Sequence, residues 1–477
     1  MESPSSLRQL SDIISQAVTA IEAEYAKAST PLPSLDAPLD PTNPAEAVGM
    51  QPSVMASSAL IIAAAAQISA TVNNPALAII NDSLLYHLSS CLRAAAALNV
   101  VEILREAGQD GLHVKDIAQK ARTDPDKLSR VLRLLATHHV FRELTPDVFA
   151  NNRISSVIDK GKSSEVLFEK PAEKFIGTSG LGAYLEHITD EGFKSSAYMT
   201  DALLDPATAF SQEPTATPFC RAFSTTAPIF AWLENPENKD RLVRFGVGQA
   251  GSTKLESPES ILLGFKWDQL PKDSVLVDVG GGVGSTSLLI AKATPGLRII
   301  NQDRAPVVEQ AKEYWNEHLR SHVQSGMVQF QVHDFFAPQP VKNADVFLLR
   351  QIIHDWPDEA AVRILTQLRA ASTHDTKLVI VDQIIPYATE SPLTNSIPGL
   401  ARPAPPAPLL RNMGVAMAVP YWADIHMYAL LNGRERTMGT LVAICEKAGW
   451  KIVQVYHLPG SLFSETIAVP NGVQAKI

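Results

Sequence analysis

One stretch, VLVDVGGGVGSTSLLIAKA from Val275 to Ala293, constrains this chain more than any other. An apolar run of strand character contains Asp278, glycines follow at Gly280, Gly281, Gly282 and Gly284, and a helix opens near Ser285. Glycine lets the backbone turn sharply and lets a ligand approach it, while a helix start offers unpaired N–H groups. The rhythm then repeats. SVLVDVG, RIINQD, VQFQVHDF, ADVFLLR and KLVIVDQII read as strands, with STSLLIAKA, PVVEQAKEYWNEHLRS and DEAAVRILTQLRAAS as the helices between them. TMGTLVAICEKAGW reads as a last helix, followed by KIVQVYHL and SETIAVP as a terminal strand pair. Such alternation specifies a mostly parallel sheet with helices on both faces, an α/β domain of Rossmann-like type.

The glycine loop alone is compatible with a dinucleotide. The acids at three successive strand ends separate the readings. Asp278, just before the loop, suits an ammonium group and would repel a pyrophosphate. Asp303 ends the next strand and suits the two hydroxyls of a ribose, and Asp334, followed by Phe335, suits an exocyclic amine with the ring packed on a purine. Together they fit a nucleoside with a cationic amino-acid tail better than a dinucleotide.

Upstream, residues 5 to 26 carry Leu7, Leu10, Ile13, Ile14, Ala17, Val18 and Ile21 at helical spacing, and the Pro-rich segment STPLPSLDAPLDPTNPAEA then reads as a semi-rigid linker without helix or strand. VMASSALIIAAAAQISATV, residues 54 to 72, approaches a bilayer span in length, but its Ala and Ser content favours a buried or dimer-packed helix. Residues 75 to 160 give three helices and a β-ribbon, with LLYHLSSCLRAAAALNVVEILREA as the first helix, in the order of a winged helix-turn-helix. Lys127, Arg130 and Arg133 lie on its third helix, yet Leu128, Val131, Leu132 and Leu135 take a broad face of it. Residues 161 to 255 read as a helical connector. The expected organisation is therefore an extension over 1–74, a winged-helix-like domain over 75–160, the connector, and the α/β domain over 256–477 with a Pro-rich insertion at 386–422.

A length of 477 residues accommodates two to three domains, and a net charge of −9 argues against nucleic acid as the main partner. Cys91, Cys220 and Cys445 show no disulfide or metal spacing, so no metal is expected, and a reducing, cytoplasmic setting fits.

The segments VDVGGGVG, NQDRAP, VHDFF, LLRQIIHDWPDE, VDQIIP and NGRERT occur in the order and at the spacing of a known family. The chain resembles, over about residues 76 to 470, the class I S-adenosylmethionine-dependent O-methyltransferases of plant natural-product and fungal secondary metabolism. The resemblance implies seven strands with the last antiparallel, and a winged-helix-like N-terminal domain that forms a homodimer. It puts S-adenosylmethionine on Gly280, Gly282, Asp303, Asp334, Phe335, Arg350 and Thr253, beside Asp278. It implies a small-molecule acceptor lined by Gln249, Phe245, Met427 and Trp356, and no nucleic-acid or membrane partner.

Methyl transfer to a hydroxyl gains from a base, and neutral histidine, with a reference pKa near ~6.5, is suited to that work. By the resemblance the base is His354, with Asp382 and Glu435 holding its ring. The bottom-up placement agrees, since His354 and Asp382 each follow a predicted strand and Glu435 opens the helix before the last strand pair, so that all three can meet at the carboxyl ends of the strands, where ligands bind in this fold class. Pro357, Asp358 and Glu359 read as a helix first turn, which makes Asp355 and Asp358 structural acids. The chain departs from the family at Asp382, where Glu is usual, at Gln249, where Met is expected, and at Arg350, where Lys is usual. Two other readings stay open: a fold that binds the cofactor without transferring its methyl group, and a winged-helix DNA-binding regulator.

Overall fold

The computed structural model describes residues 4–253, 256 and 258–472. It falls into two units, Met1–Ser211 with Thr215–Leu255, and Gln212–Pro214 with Glu256–Ile477.

In the first unit the amphipathic repeat forms the helix Ser6–Lys27, with the Ser5 side chain accepting from the Arg8 N–H and Leu10, Ile13, Ala17, Ile21 and Tyr25 buried on one face. That face packs on the helix Pro52–Val72. The Pro-rich segment differs from expectation. Asn43 caps a short helix, Pro44–Gly49, because its side chain satisfies the Ala45 N–H and proline at the first position loses no hydrogen bond. The segment is also fastened, since the Leu39 N–H donates to Ser156 Oγ at 2.8 Å and Arg153 pairs with Glu46.

The winged-helix order is present. Helices Tyr86–Ala97 and Val100–Ala107 lead to strand β1 (Leu112–His113), helices Val114–Ala121 and Pro125–Thr137, and strands β2 (Arg142–Thr145) and β3 (Val148–Ala150), which form a sheet in the order β1-β3-β2. Ile103, Leu104, Ile117, Leu128, Leu132, Leu135 and Phe149 make its core. The single helix expected from Leu84 to Ala107 is broken at Asn99, which takes a left-handed φ of 54° that asparagine tolerates. Arg133 is engaged by Glu143 and Asp147, at 2.9 and 2.8 Å.

Two helices bury less than a packed core would. Pro52–Val72 is long and apolar enough to cross a membrane by length and composition, and buries only Val54, Ala63 and Ala64. Pro75–Leu84 buries no residue, leaving Leu77, Ile79 and Ile80 more than half exposed. Burial within one chain, one form of the expectation for 54–72, is thus largely not met.

The second unit carries strands β4 (Val275–Val279), β5 (Arg298–Asp303), β6 (Val328–Val332), β7 (Val346–Arg350), β8 (Lys377–Gln383), β9 (Trp450–His457) and β10 (Phe463–Pro470). They form one sheet in the order β6-β5-β4-β7-β8-β10-β9, with β10 antiparallel to both neighbours. The run β4 to β8 is parallel, with Asp278 opposite Leu348 and Arg350 opposite Val381. The order reverses between β4 and β7, so their carboxyl ends flank the crevice where ligands bind in open α/β sheets. Apolar clusters cover both faces, one around Phe347, Leu365 and Trp450, the other around Leu276, Trp315 and Val379. The insertion at 386–422 has only short turns before the helix Val419–Leu431 opens. Part of it lies along β9, where the Val455 N–H donates to the Pro398 carbonyl at 2.9 Å and covers an otherwise free sheet edge.

Candidate active site

At the end of β4, the N–H groups of Gly280 and Gly281 donate to the Gln302 carbonyl on β5, at 2.9 and 3.1 Å, which folds the glycine loop back over the sheet. Gly281 approaches its neighbours so closely that a Cβ there would lie 2.2 Å from Asn301 Oδ1 and 2.5 Å from Asp278 Cγ. Asp278 is buried, with no partner for Oδ2 among the described residues, and burial pushes its carboxyl up to about 6. A buried, orphaned carboxylate oxygen is costly unless a donor arrives, so Asp278 fits a ligand's ammonium group.

Asp303 reaches into the same loop. Its Oδ2 accepts from the Gly282 N–H at 2.9 Å and its Oδ1 from the Arg304 N–H at 2.7 Å, leaving each oxygen further capacity for a hydroxyl. Asp334, beyond β6, is exposed and accepts from the Phe336 N–H at 2.9 Å. Phe335 and Ile352 stand over Gly280, where a Cβ would fall 3.7 and 2.6 Å from them. Trp356 packs edge-on against Phe335 and Phe336, with centroids 5.9 and 4.8 Å away. Arg350, at the end of β7, donates to Gln351 Oε1 at 3.1 Å, lies 4.0 Å from Glu256 and sits over the Phe463 ring. Burial lowers its pKa, against the opposing pull of Glu256, Asp278 and Asp382.

His354 sits on the 3₁₀ turn Ile353–Asp355, between β7 and the helix Asp358–Ala371. Its Nδ1 lies 2.7 Å from Glu435 Oε1, and its Nε2 lies 3.4 Å from Asp355 Oδ1. Asp382 is buried nearby on β8, but among the described residues no hydrogen bond joins it to the ring, and its Oδ1 has no partner. Burial alone would lower the His354 pKa. Asp355, then Glu435 and Asp382, outweigh it and push the ring up to about 10. Burial raises the acids in turn, Asp355 to about 6 and Asp382 to about 7. The ring therefore departs far from the reference value expected for an isolated histidine.

The segment Gly433–Arg436 grips this turn. The Arg434 N–H donates to the His354 carbonyl at 2.8 Å, and a Cβ on Gly433 would lie 2.4 Å from that same oxygen. Arg436 donates to the carbonyls of Ile353 and Trp356 at 2.6 and 2.7 Å and to Asp358 at 3.0 Å. Arg436 and Arg434 both bind Asp358, the acid expected in the helix first turn. Glu435 lies three residues before the helix Met438–Lys447 instead of opening it. Sequence reasoning singled out NGRERT for Glu435 and missed Arg436, although the motif itself was the signal.

Three expected site residues belong to the first unit. Phe245 and Gln249 lie on the helix Lys239–Ser252, with Phe245 edge-on to His187 at 5.2 Å and Gln249 exposed; Thr253 follows it, its Oγ1 donating to the Ala250 carbonyl at 2.9 Å. Met427 lies on Val419–Leu431, the helix that packs beside the His354 turn. Among the described residues no group of three His, Cys, Asp or Glu side chains is placed to hold a metal ion.

Residues 203–451 match the model of the O-methyltransferase domain, and residues 82–159 match that of the O-methyltransferase dimerisation domain. The chain belongs to the O-methyltransferase family. S-adenosylmethionine is the cofactor of this family, and the orphaned Asp278 and the folded-back glycine loop fit it. An O-methyltransferase of Armillaria gallica is 40% identical over 98% of this chain and 100% of its own length. A 4-O-methyltransferase of Phanerochaete chrysosporium is 38% identical over 95% of this chain and 96% of its own. Among solved structures, the mitomycin 7-O-methyltransferase MmcR superposes with a TM-score of 0.61 at 22% identity, covering 83% of this chain and 98% of that one. A pericyclic reaction enzyme superposes with a TM-score of 0.63 at 20% identity, covering 88% and 94%. At these identities the superpositions show the fold.

Proposed function

We propose that this O-methyltransferase transfers the methyl group of S-adenosylmethionine to a phenolic or enolic hydroxyl of a small secondary metabolite, with His354 as general base. The observation that carries this reading is the orientation of the ring: Glu435 engages Nδ1, which leaves Nε2 as the nitrogen that exchanges a proton, and since the surrounding acids push the ring up to about 10, it serves as base in the fraction that has first given up its Nε2 proton. The cofactor supplies a methyl group made electrophilic by the adjoining sulfonium. Asp278 would hold its ammonium group, Asp303 the ribose hydroxyls, and Asp334 with Phe335 the adenine, with Gly280, Gly282, Arg350 and Thr253 completing the contacts. The chain's own part in the reaction is to bind, to orient and to move one proton. Glu435 fixes the ring's tilt and its tautomer, and Arg436 fixes the backbone that carries it.

The acceptor would be lined by Met427 and Trp356, with Phe245 and Gln249, the glutamine favouring a polar group. The chain would act as a homodimer in the cytoplasm, without nucleic acid or membrane as partner. Support comes from the match to a dimerisation domain, the exposed apolar helix Pro75–Leu84 next to it, and the engagement of Arg133 by two acids.

A second reading, a cofactor-binding enzyme that does not methylate, draws on the missing hydrogen bond between Asp382 and His354. Mass spectrometry of reactions with S-adenosylmethionine and a panel of phenols and enols separates the two. The expected result is a product heavier by one methyl group with an equal amount of S-adenosylhomocysteine. Conversion of an acceptor without S-adenosylhomocysteine would overturn methyl transfer in favour of the second reading.

A further inference from the structure

We propose that Asp355 is a working member of the base: its carboxylate holds the Nε2 side of His354, the side from which an acceptor hydroxyl must approach. This rests on the reading of His354 as the base.

With Nδ1 engaged by Glu435, a proton enters or leaves the ring through Nε2, and the acid beside Nε2 is Asp355, at 3.4 Å. The two sides differ in access. The Glu435 side chain is 1% exposed and that of Asp355 24%, so the Nε2 side is the one open to a substrate. Asp355 is expected from the sequence to be a structural acid beside the helix start, but the structural work there falls to Asp358. The helix begins at Asp358, which binds Arg434 and Arg436, while Asp355 closes the preceding 3₁₀ turn. Among the described residues no backbone N–H donates to the Asp355 carboxylate, so it caps nothing.

The charges that face the ring come from three elements. Asp355 lies on its own turn, Glu435 on the segment before Met438–Lys447, and Asp382 on β8. Arg436, the cation that grips this turn, spends its donors on the turn's carbonyls and on Asp358, and its charge falls on Asp358 and Asp382. Asp424, on Val419–Leu431, accepts from the Glu435 backbone and thereby holds the acid on Nδ1. Of the carboxylates around His354, Asp355 is the one that a hydroxyl at Nε2 must share or displace. Starting from the ring in its neutral form, the hydroxyl proton passes to Nε2 as the acceptor oxygen forms its bond to the methyl carbon and the carbon–sulfur bond breaks. The imidazolium so formed is then held between Glu435 and Asp355, and Asp355 offers that proton its nearest way to solvent.

Asp355→Asn keeps the shape and removes the charge. The titration of the His354 ring, followed by NMR in the full chain, is expected to fall by roughly one pH unit or more. The acidic limb of the kcat/KM profile should move down with it, and the pH-independent kcat on the alkaline side of that limb should drop about tenfold or more, while the affinity for S-adenosylmethionine changes less than twofold. Asp355→Glu, which retains the charge, should restore most of the titration shift, and serves in its place if the Asn variant fails to fold. A ring titration and a pH profile that superpose on those of the parent would overturn the proposal. Failure of the underlying reading looks different: His354→Ala would keep its turnover, whatever Asp355→Asn does to the ring.

Discussion

Glu435 Oε1 lies 2.7 Å from Nδ1 of His354, whereas Asp382, the other acid of the expected triad, makes no hydrogen bond to that ring among the described residues. The two acids are therefore expected to act at different strengths. Glu435→Gln removes the charge-assisted bond that fixes the ring and is expected to lower turnover by about 10²-fold, with Asp382→Asn costing nearer tenfold. His354→Ala should cost about 10² to 10⁴ while cofactor binding, measured by calorimetry, stays near that of the parent. Equal losses at Asp382 and Glu435 would show that both acids hold the ring during turnover.

Arg436 ties the His354 turn to the segment that carries Glu435. Its side chain is buried and satisfies two backbone carbonyls and Asp358. Arg436→Ala leaves those acceptors without their donor and is expected to destabilise the second unit by roughly 3–5 kcal/mol. Arg436→Lys, a point charge in place of a fork, should recover less than half of this. Chemical denaturation of both variants checks the order.

The β/α alternation after Ser274 made the seven strands legible, because β4, β7, β8 and β10 are apolar runs buried on both faces and every strand is bounded by turn residues. Asp278, Asp303, Phe335 and His354 were legible for a related reason: they stand at strand ends, and sequence order fixes where strand ends lie. What local pattern could not carry was contact across the chain. The grip of Arg436 on Ile353 and Trp356 joins residues some eighty positions apart, and nothing in either segment's periodicity encodes it. Asp355 and Asp358 looked alike as acids near a helix start. Only the turn's geometry sends one to the His354 ring and the other to two arginines. Likewise the break at Asn99 interrupts a helical pattern that runs on unaltered in the sequence, because one left-handed residue costs little when it is asparagine.

Gly281 tests the cofactor loop without touching the base. Its φ is ordinary, so the obstacle to a side chain is space: Asn301 and Asp278 lie where a Cβ would go. Gly281→Ala is expected to weaken S-adenosylmethionine binding by tenfold or more, on the order of 1.4 kcal/mol, while the His354 ring titrates as in the parent. A calorimetric affinity equal to that of the parent would show that Asp278 does not need its present position.

The helix Pro75–Leu84 exposes Leu77, Ile79 and Ile80 immediately before the dimerisation match at 82–159. A second copy of the chain is the expected cover for that face. Leu77→Asp with Ile80→Asp should shift the protein from dimer to monomer in sedimentation at micromolar concentration, without loss of helical content. If the parent is monomeric but floats with lipid vesicles, the apolar face serves a membrane and the dimer reading fails.

Glu465 gives a pH dependence that is separate from the site. It is fully buried on β10, accepts from the Phe265 N–H, and has no partner for Oε1 among the described residues. Burial raises its carboxyl from the ordinary 4.5 to about 7, against the lowering effect of the Phe265 N–H and Lys266. A carboxyl that binds its proton more tightly in the folded state stabilises the fold fully below pH 4.5, and that contribution is lost as the pH rises through about 7. Above pH 7 the buried charge therefore costs on the order of 3 kcal/mol. Glu465→Gln keeps an acceptor for the Phe265 N–H and has no charge to bury. It should melt higher than the parent at pH 8, and the gap should close as the pH falls toward 4.5. A gap that stays constant from pH 4.5 to pH 8 would show that the Glu465 proton is not what separates the two proteins.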